Sequence, residues 1–115
     1  MHLRADFWVA AYVRRVGVEG AFAMLRRRGA AEAGAIFVKV DRLDGHAALY
    51  GPAPQSELAD RDGVDRLWMR LHKEEWTDPA TLEEKIAREM KFDPDLWLIE
   101  VEDRKGRCFL DLAER

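Results

Sequence analysis

The sequence has very few of the residue types that most enzyme and metal sites use. In 115 residues it contains one cysteine, one serine and one glutamine, and it has no asparagine. The lone Cys108 cannot form an internal disulfide, so the composition favours a reducing, cytoplasmic setting. The three histidines do not have the spacing of a zinc site. The chain therefore predicts no metal, no cofactor and no conventional catalytic residue.

Long apolar runs and a strong charge imbalance are also missing. No stretch approaches the roughly 18 apolar residues that a membrane helix needs, and the first six residues lack the apolar core of a signal peptide. The formal net charge of −3 gives no general attraction to nucleic acid or to anionic membranes. What is present, 48% hydrophobic and 36% charged residues, is typical of one small globular domain, spanning residues 1–115.

The clearest structural pattern lies in residues 34–54. Two extended runs, Ala35–Val40 and His46–Tyr50, flank the turn residues Asp44 and Gly45, and this arrangement predicts a β-hairpin in the middle of a sheet. Before the hairpin, Phe7–Val16 alternates aromatic and β-branched residues, which predicts a strand. A helix is the alternative for that run, because its alanines suit either state.

The remaining segments are predicted from the spacing of apolar residues and from residues that favour turns and helix ends. Apolar residues recur at helical intervals over residues 18–28, before Gly29, and predict the first helix. Residues 55–66 are charged and predict a surface loop, and 67–73 alternate like an edge strand. Asp78 and Pro79 start a second helix, which ends near Phe92. Residues 96–101 predict an interior strand, 108–112 a last strand pairing with it, and 113–115 a frayed tail.

These elements give the order β-α-β-β-β-α-β-β. The fold class predicted is α+β, with an antiparallel or mixed sheet of five to six strands. Both helices are expected to pack on one face of that sheet. The sequence does not decide whether the first strand pairs with the hairpin or with the strand at residues 96–101.

Several blocks of residues resemble one known family, in the same order along the chain. These blocks are Asp6–Val9, Val18–Ala23, Arg27–Lys39, Leu49–Gln55 and Phe92–Trp97. Together they resemble the short alphaproteobacterial proteins grouped as domain of unknown function 1491. The resemblance covers nearly the whole chain and is weakest over residues 56–76. It implies an intracellular bacterial protein, and it implies no catalytic activity.

A basic cluster is the first candidate binding site. It consists of Arg14 and Arg15 at the end of the first predicted strand, Arg26, Arg27 and Arg28 at the end of the first predicted helix, and Lys39 in the hairpin. Arginine forks suit phosphate or carboxylate groups because they donate hydrogen bonds in parallel pairs. Runs of positive charge are more often solvated surface or complement a helix dipole. Whether Arg14 and Arg26 share a surface cannot be read from the sequence.

Tyr50 and Gln55 form a second candidate site, around the rigid turn that follows the hairpin. Proline and glycine there can present an aromatic ring and backbone groups to a ligand, although they also simply end a strand. A third set consists of the carboxylates Asp93, Asp95, Glu100, Glu102 and Asp103. The ligand repeat of a calcium loop is missing from that set, so turn capping and cross-strand ion pairs explain it better.

The leading hypothesis is a non-enzymatic binding or adaptor domain that contacts another protein or forms a homodimer. It depends on apolar sheet surface exceeding what two short helices cover, and on an open strand edge. A phosphate or nucleic-acid binder that uses the arginine cluster is the first alternative. The second alternative is a small enzyme built on carboxylates and arginine.

Overall fold

The computed structural model describes residues 4–54 and 66–113. Two helices and five strands form in this part of the chain. They are α1 (Ala5–Val18), β1 (Phe22–Arg27), β2 (Ile36–Asp41), β3 (Ala47–Pro52), β4 (Trp68–Arg70), α2 (Pro79–Phe92) and β5 (Trp97–Glu102). The predicted α+β class with a mixed sheet is confirmed.

The strands form one sheet in the order β1-β5-β2-β3-β4. β5 is antiparallel to β1 and parallel to β2, and the other neighbours are antiparallel. The last strand in sequence therefore lies second in the sheet. The question that the sequence left open, which partner a strand at residues 7–16 would take, does not arise, because those residues form a helix. The first strand of the structure, β1, pairs with β5.

Two of the predicted elements have the wrong type of secondary structure: the predicted first strand is a helix, and the predicted first helix contains a strand. Residues 7–16 belong to helix α1, and its buried residues Ala5, Val9, Tyr12 and Val16 follow the spacing of one helical face. The predicted strand there was wrong, and the helix given as its alternative is correct. Residues 22–27 form strand β1 instead of a helix, so the observed order is α-β-β-β-β-α-β.

The two helices pack on opposite faces of the sheet, so the prediction of one shared face was also wrong. Alternate residues of β2 point to opposite sides. Ile36, Val38 and Val40 share a buried cluster with α1, whereas Phe37 shares one with Leu82 and Ile86 of α2. A central sheet that is apolar on both faces needs a cover on each side, which one layer of helices cannot provide.

The hairpin, the second helix and β5 form as predicted. In the turn, Leu43 and Gly45 have positive φ angles, and the backbone N–H of Leu43 donates to the Asp41 carboxylate at 2.7 Å. Asp78 caps α2 by accepting from the backbone N–H of Thr81 at 3.0 Å. These local hydrogen bonds explain why the turn and cap residues could be recognised in the sequence.

The C-terminal segment differs from its prediction. Residues 108–112 do not pair with β5. Leu112 instead forms an isolated parallel bridge with Trp68 of β4, and the Ala113 N–H donates to the Trp68 carbonyl at 2.8 Å. Most of the loop predicted for 55–66, and residues 114 and 115 of the predicted tail, lie outside the described residues.

Candidate binding surfaces

A cluster of four charges lies between β1, β2, β5 and α2. Lys39 points from the middle of the sheet and is only 4% exposed. Its Nζ lies 2.6 Å from Oε2 of Glu83 and 3.6 Å from Oε2 of Glu100. Burial of a lysine charge is costly unless it is paired. The two carboxylates supply that pairing.

Arg26 completes this cluster from β1. The register of β1 against β5 shifts between Leu25 and Arg27, so Arg26 is the extra residue of a β-bulge, which can re-aim a side chain. Its guanidinium donates to both carboxylate oxygens of Glu83, at 2.8 and 2.9 Å, and to Glu100 at 3.0 Å. The hydrogen bonds from Arg26, followed by that from Lys39, lower the pKa of Glu83 to about 2.

Arg27, at the end of β1, and Arg28, which follows it, also contact their own domain. Arg27 donates to the backbone carbonyls of Asp93 and Pro94, at 3.4 and 3.2 Å. The Arg28 guanidinium lies 5.1 Å from the centre of the Trp97 ring. Both contacts tie the end of β1 to the segment that leads into β5. The basic side chains of this region therefore stabilise the fold.

The structure separates the predicted basic residues. Arg14 and Arg15 lie exposed on α1. Helix α1 covers the face of the sheet opposite to the one where Arg26 and Lys39 meet α2. Of the second candidate pair, Tyr50 is buried and its hydroxyl accepts a hydrogen bond from Arg70 at 3.2 Å. Burial raises the pKa of Tyr50. Gln55 lies outside the described residues.

The carboxylates act largely as the sequence indicated. Asp93 accepts from the backbone N–H of Asp95 at 3.0 Å in the turn before β5. Asp103 is held by three hydrogen bonds from Arg107, and these bonds lower its pKa. Within residues 4–54 and 66–113, no group of three or more His, Cys, Asp or Glu side chains could hold a metal ion.

The free edge of β1 is the most exposed apolar part of the sheet. Phe22, Met24 and Leu25 are 54%, 44% and 41% exposed. Phe22 and Met24 lie opposite Glu102 and Glu100 of β5, on the face where α2 packs over β2 and β3. Helix α2 contacts β1 near its end, where Glu83 bonds to Arg26, and Phe22 and Met24 nearer its start remain about half exposed.

An aromatic cleft lies at the opposite side of the domain, beside α1. Its cavity volume is about 180 Å³, and Trp8, Tyr12, Arg15, Trp68 and Phe109 contribute to its lining. The Trp8 ring stacks on Tyr12, with centroids 4.8 Å apart, and contacts Trp68 at 4.9 Å. The sequence prediction missed this cleft because it assigned residues 7–16 to a strand.

A wider and more polar cavity, of about 610 Å³, lies where the parallel strands β2 and β5 end. Its lining includes Phe22, Leu43, Glu102, Arg104 and Lys105. Asp103 and Arg107 also line it, but they are bonded to each other. The cavity thus combines acidic and basic side chains without bringing them together as a compact set.

The family model for proteins of unknown function DUF1491 matches residues 3–111. The chain belongs to the DUF1491 family. A search of curated proteins returns no match. In the described part of this DUF1491 chain, neither helix is long and apolar enough to cross a membrane. The family resemblance drawn from the sequence blocks is confirmed.

Solved structures of the family share the fold. A crystal structure of a DUF1491 protein from Caulobacter crescentus is 38% identical, with a TM-score of 0.80, and the match covers 96% of this chain and 99% of that one. The solution structure of protein Atu0922 from A. tumefaciens is 36% identical, with a TM-score of 0.82, and the match covers 100% and 98% of the two chains. An NMR structure from Caulobacter crescentus is 42% identical, with a TM-score of 0.80 and coverage of 100% and 99%.

Proposed function

We propose that this DUF1491 protein is a non-enzymatic cytoplasmic binding domain that forms a homodimer through the free edge of β1. The observation that carries the proposal is the exposure of Phe22, Met24 and Leu25 on a six-residue edge strand. An uncovered apolar edge presents unpaired backbone groups beside apolar side chains, which is the surface that another strand adds to.

The opposite edge of the sheet supports association less well. β4 is only three residues long, and the backbone of residues 111–113 bonds to Trp68 there. Within the described residues, β1 pairs on one side only, with β5. β1 is therefore the longer open edge.

Charged side chains on an edge strand commonly prevent pairing with another chain, but the arginines at the end of β1 make contacts within their own domain. Arg26 is held by Glu83 and Glu100, Arg27 by two backbone carbonyls, and Arg28 lies against Trp97. Because each of these side chains contacts its own domain, none of the three arginines shields the edge at residues 22–25 from pairing.

Charge favours a second copy in antiparallel orientation. β1 begins after Glu19 and beside Glu102. It ends at Arg27 and is followed by Arg28, and their contacts with backbone carbonyls and an aromatic ring leave both positive charges in place. A two-fold axis across β1 places the acidic end of one strand against the basic end of the other, whereas a parallel arrangement brings like charges together. Pairing of this kind would produce one continuous sheet across the dimer.

Two methionines allow a matched test of the dimer. Met24 on β1 and Met69 on β4 are both edge residues, 44% and 38% exposed. Light scattering coupled to size exclusion should show a dimer for the wild type and for Met69→Lys, and a monomer for Met24→Lys. The introduced lysine on β1 would face Glu100 across the strands, so the monomer should remain folded.

Three outcomes would overturn the proposal. They are a monomeric wild type at millimolar concentration, a dimer that persists in Met24→Lys, or a dimer that Met69→Lys dissociates. Raising the salt concentration should weaken the dimer, because opposite charges contribute to it. Binding of an unrelated extended peptide by a monomeric protein would point to partner recognition by the same edge instead.

The two alternatives receive less support from the geometry. A nucleic-acid binder would need arginines that here contact carboxylates, carbonyls and an aromatic ring of the same chain. An enzyme could use the cavity at the ends of β2 and β5, but its buried carboxylate Asp103 is already bonded to Arg107.

A further inference from the structure

We propose a second site, independent of dimerisation: the cavity at the ends of β2 and β5 binds a short apolar peptide whose two termini are free. Its volume of about 610 Å³ lies within the range of small-molecule sites. It lies beyond the carboxyl ends of two parallel neighbours, β2 and β5, a position that ligands commonly occupy in open sheets covered by helices on both faces. This size suits two residues better than a single amino acid.

Two apolar side chains form walls of the cavity. Phe22 at the start of β1 and Leu43 in the hairpin turn both line it, and they are 54% and 44% exposed. β5 lies between β1 and β2 in the sheet, so the two side chains reach the cavity from either side of β5. Apolar surface that stays in contact with water on both sides of a cavity suits a ligand with two apolar side chains.

Leu43 is held at the rim by a strained backbone. Its φ of 66° lies in the left-handed region that a bulky residue rarely adopts. Its backbone N–H donates to the Asp41 carboxylate at 2.7 Å, which fixes this conformation. An exposed leucine contributes little to the core, and strained residues concentrate at ligand-binding sites. The position of Leu43 therefore supports a role in binding.

The charges of the lining define the polar groups of the ligand. Three acidic and three basic side chains line the cavity: Glu19, Glu102, Asp103, Arg104, Lys105 and Arg107. Asp103 and Arg107 are paired at 2.9 Å. Glu102, Arg104 and Lys105 form no ion pair with the residues that the structure describes. A ligand of one charge would complement only one sign, whereas a peptide offers its ammonium to Glu102 and its carboxylate to Arg104 and Lys105.

The dipeptide phenylalanyl-leucine is the probe for this site. In NMR titrations of the full chain, it should shift the backbone amide signals of Phe22, Leu43 and Lys105 and saturate, while the Leu25 amide on the β1 edge stays unchanged. The C-terminal amide of the probe lacks the carboxylate and its N-acetyl form lacks the ammonium, so each should bind at least about tenfold more weakly. Alanyl-alanine keeps both charges but lacks the apolar side chains, and it should lose a similar factor.

Variants with matched controls test the two charges. Glu102→Gln should weaken dipeptide binding at least about tenfold, and Lys105→Gln, at a more exposed position, about threefold. Glu75→Gln and Lys73→Gln, which are exposed and do not line the cavity, should leave binding unchanged. Met24→Lys should bind as tightly as the wild type, which separates this site from the dimer edge. No shift at about 20 mM dipeptide, equally tight binding of a singly charged form, or equal effects of Glu102→Gln and Glu75→Gln would overturn the proposal.

Discussion

Replacing Glu83 by glutamine tests whether the four-charge cluster stabilises the fold. Glu83 accepts hydrogen bonds from both Arg26 and Lys39, and its pKa falls from 4.5 to about 2. If that whole difference acted on folding, it would be worth about 3.4 kcal/mol at neutral pH, since each pKa unit is about 1.36 kcal/mol. The Glu83 side chain is 40% exposed, so solvent screening should reduce the loss in Glu83→Gln to about 1 to 2 kcal/mol.

The pH dependence has a definite sign. The pKa of Glu83 is lower in the folded protein than in the unfolded chain, so its contribution is complete above about pH 4.5 and is lost as the pH falls towards 2. The difference in unfolding free energy between the wild type and Glu83→Gln should fall below about half of its neutral value by pH 3. Urea denaturation followed by tryptophan fluorescence at several pH values measures this difference.

Glu84→Gln is the control, because Glu84 lies exposed on the same helix and pairs with no described residue. It should change the unfolding free energy by less than about 0.5 kcal/mol. The reasoning would be refuted if Glu83→Gln cost no more than Glu84→Gln at pH 7. A cost that stayed constant between pH 7 and pH 3 would refute the assigned electrostatic cause.

Two further predictions concern a close approach and a histidine. A Cβ at Gly34 would overlap the Asp95 carbonyl oxygen, so Gly34→Ala should cost about 1 to 3 kcal/mol in thermal or urea unfolding. Gly17→Ala, in a helix with nothing near the added methyl, should stabilise by about 0.5 to 1 kcal/mol; equal effects at the two sites would contradict the packing described. His72 Nε2 accepts from the Leu49 N–H at 3.0 Å while Nδ1 donates to the Glu74 carbonyl, and burial lowers the His72 pKa. This contribution should be present above about pH 6.5 and lost as the pH falls through the lower folded value. The protection factor of the Leu49 amide against hydrogen exchange should therefore fall in acid, and an unchanged protection factor in His72→Phe at pH 8 would show that the bond does not matter.

Local signals in the sequence were sufficient for the hairpin, α2 and β5. Asp78 and Pro79 mark a helix start by their own hydrogen-bonding and φ preferences, and the turn before β3 contains Gly45 where a positive φ is required. In such places the neighbouring residues alone determine the conformation.

The exchange of helix and strand at the N-terminal end has a different cause. Phe7–Val16 alternates like a strand, yet its buried residues also have helical spacing, and local preference does not separate the two. Phe22–Arg27 becomes a strand because β5, about 75 residues later in sequence, offers an edge to pair with. Tertiary contacts of this range override local propensity.

Contacts between residues that are far apart in the sequence also limit prediction of the sites. The carboxylate partners of Arg26 lie 57 and 74 residues away, so its engagement could not be read from neighbouring residues. Arg15 was grouped with the basic cluster at the end of a predicted strand, so its position on a helix beside Trp8 and Tyr12 was not recognised. Correct assignment of α1 would have placed Trp8, Tyr12 and Arg15 on one side of that helix.

The sheet order has a consequence for how the protein is made. β1 and β2 are not neighbours, because β5 lies between them, and β5 ends at Glu102 of 115 residues. A ribosome must therefore synthesise the chain through Glu102 before the central layer can close. Until then the N-terminal portion exposes strands on both sides of an unfilled gap, so a prematurely ended chain should be far more prone to aggregation than the finished one.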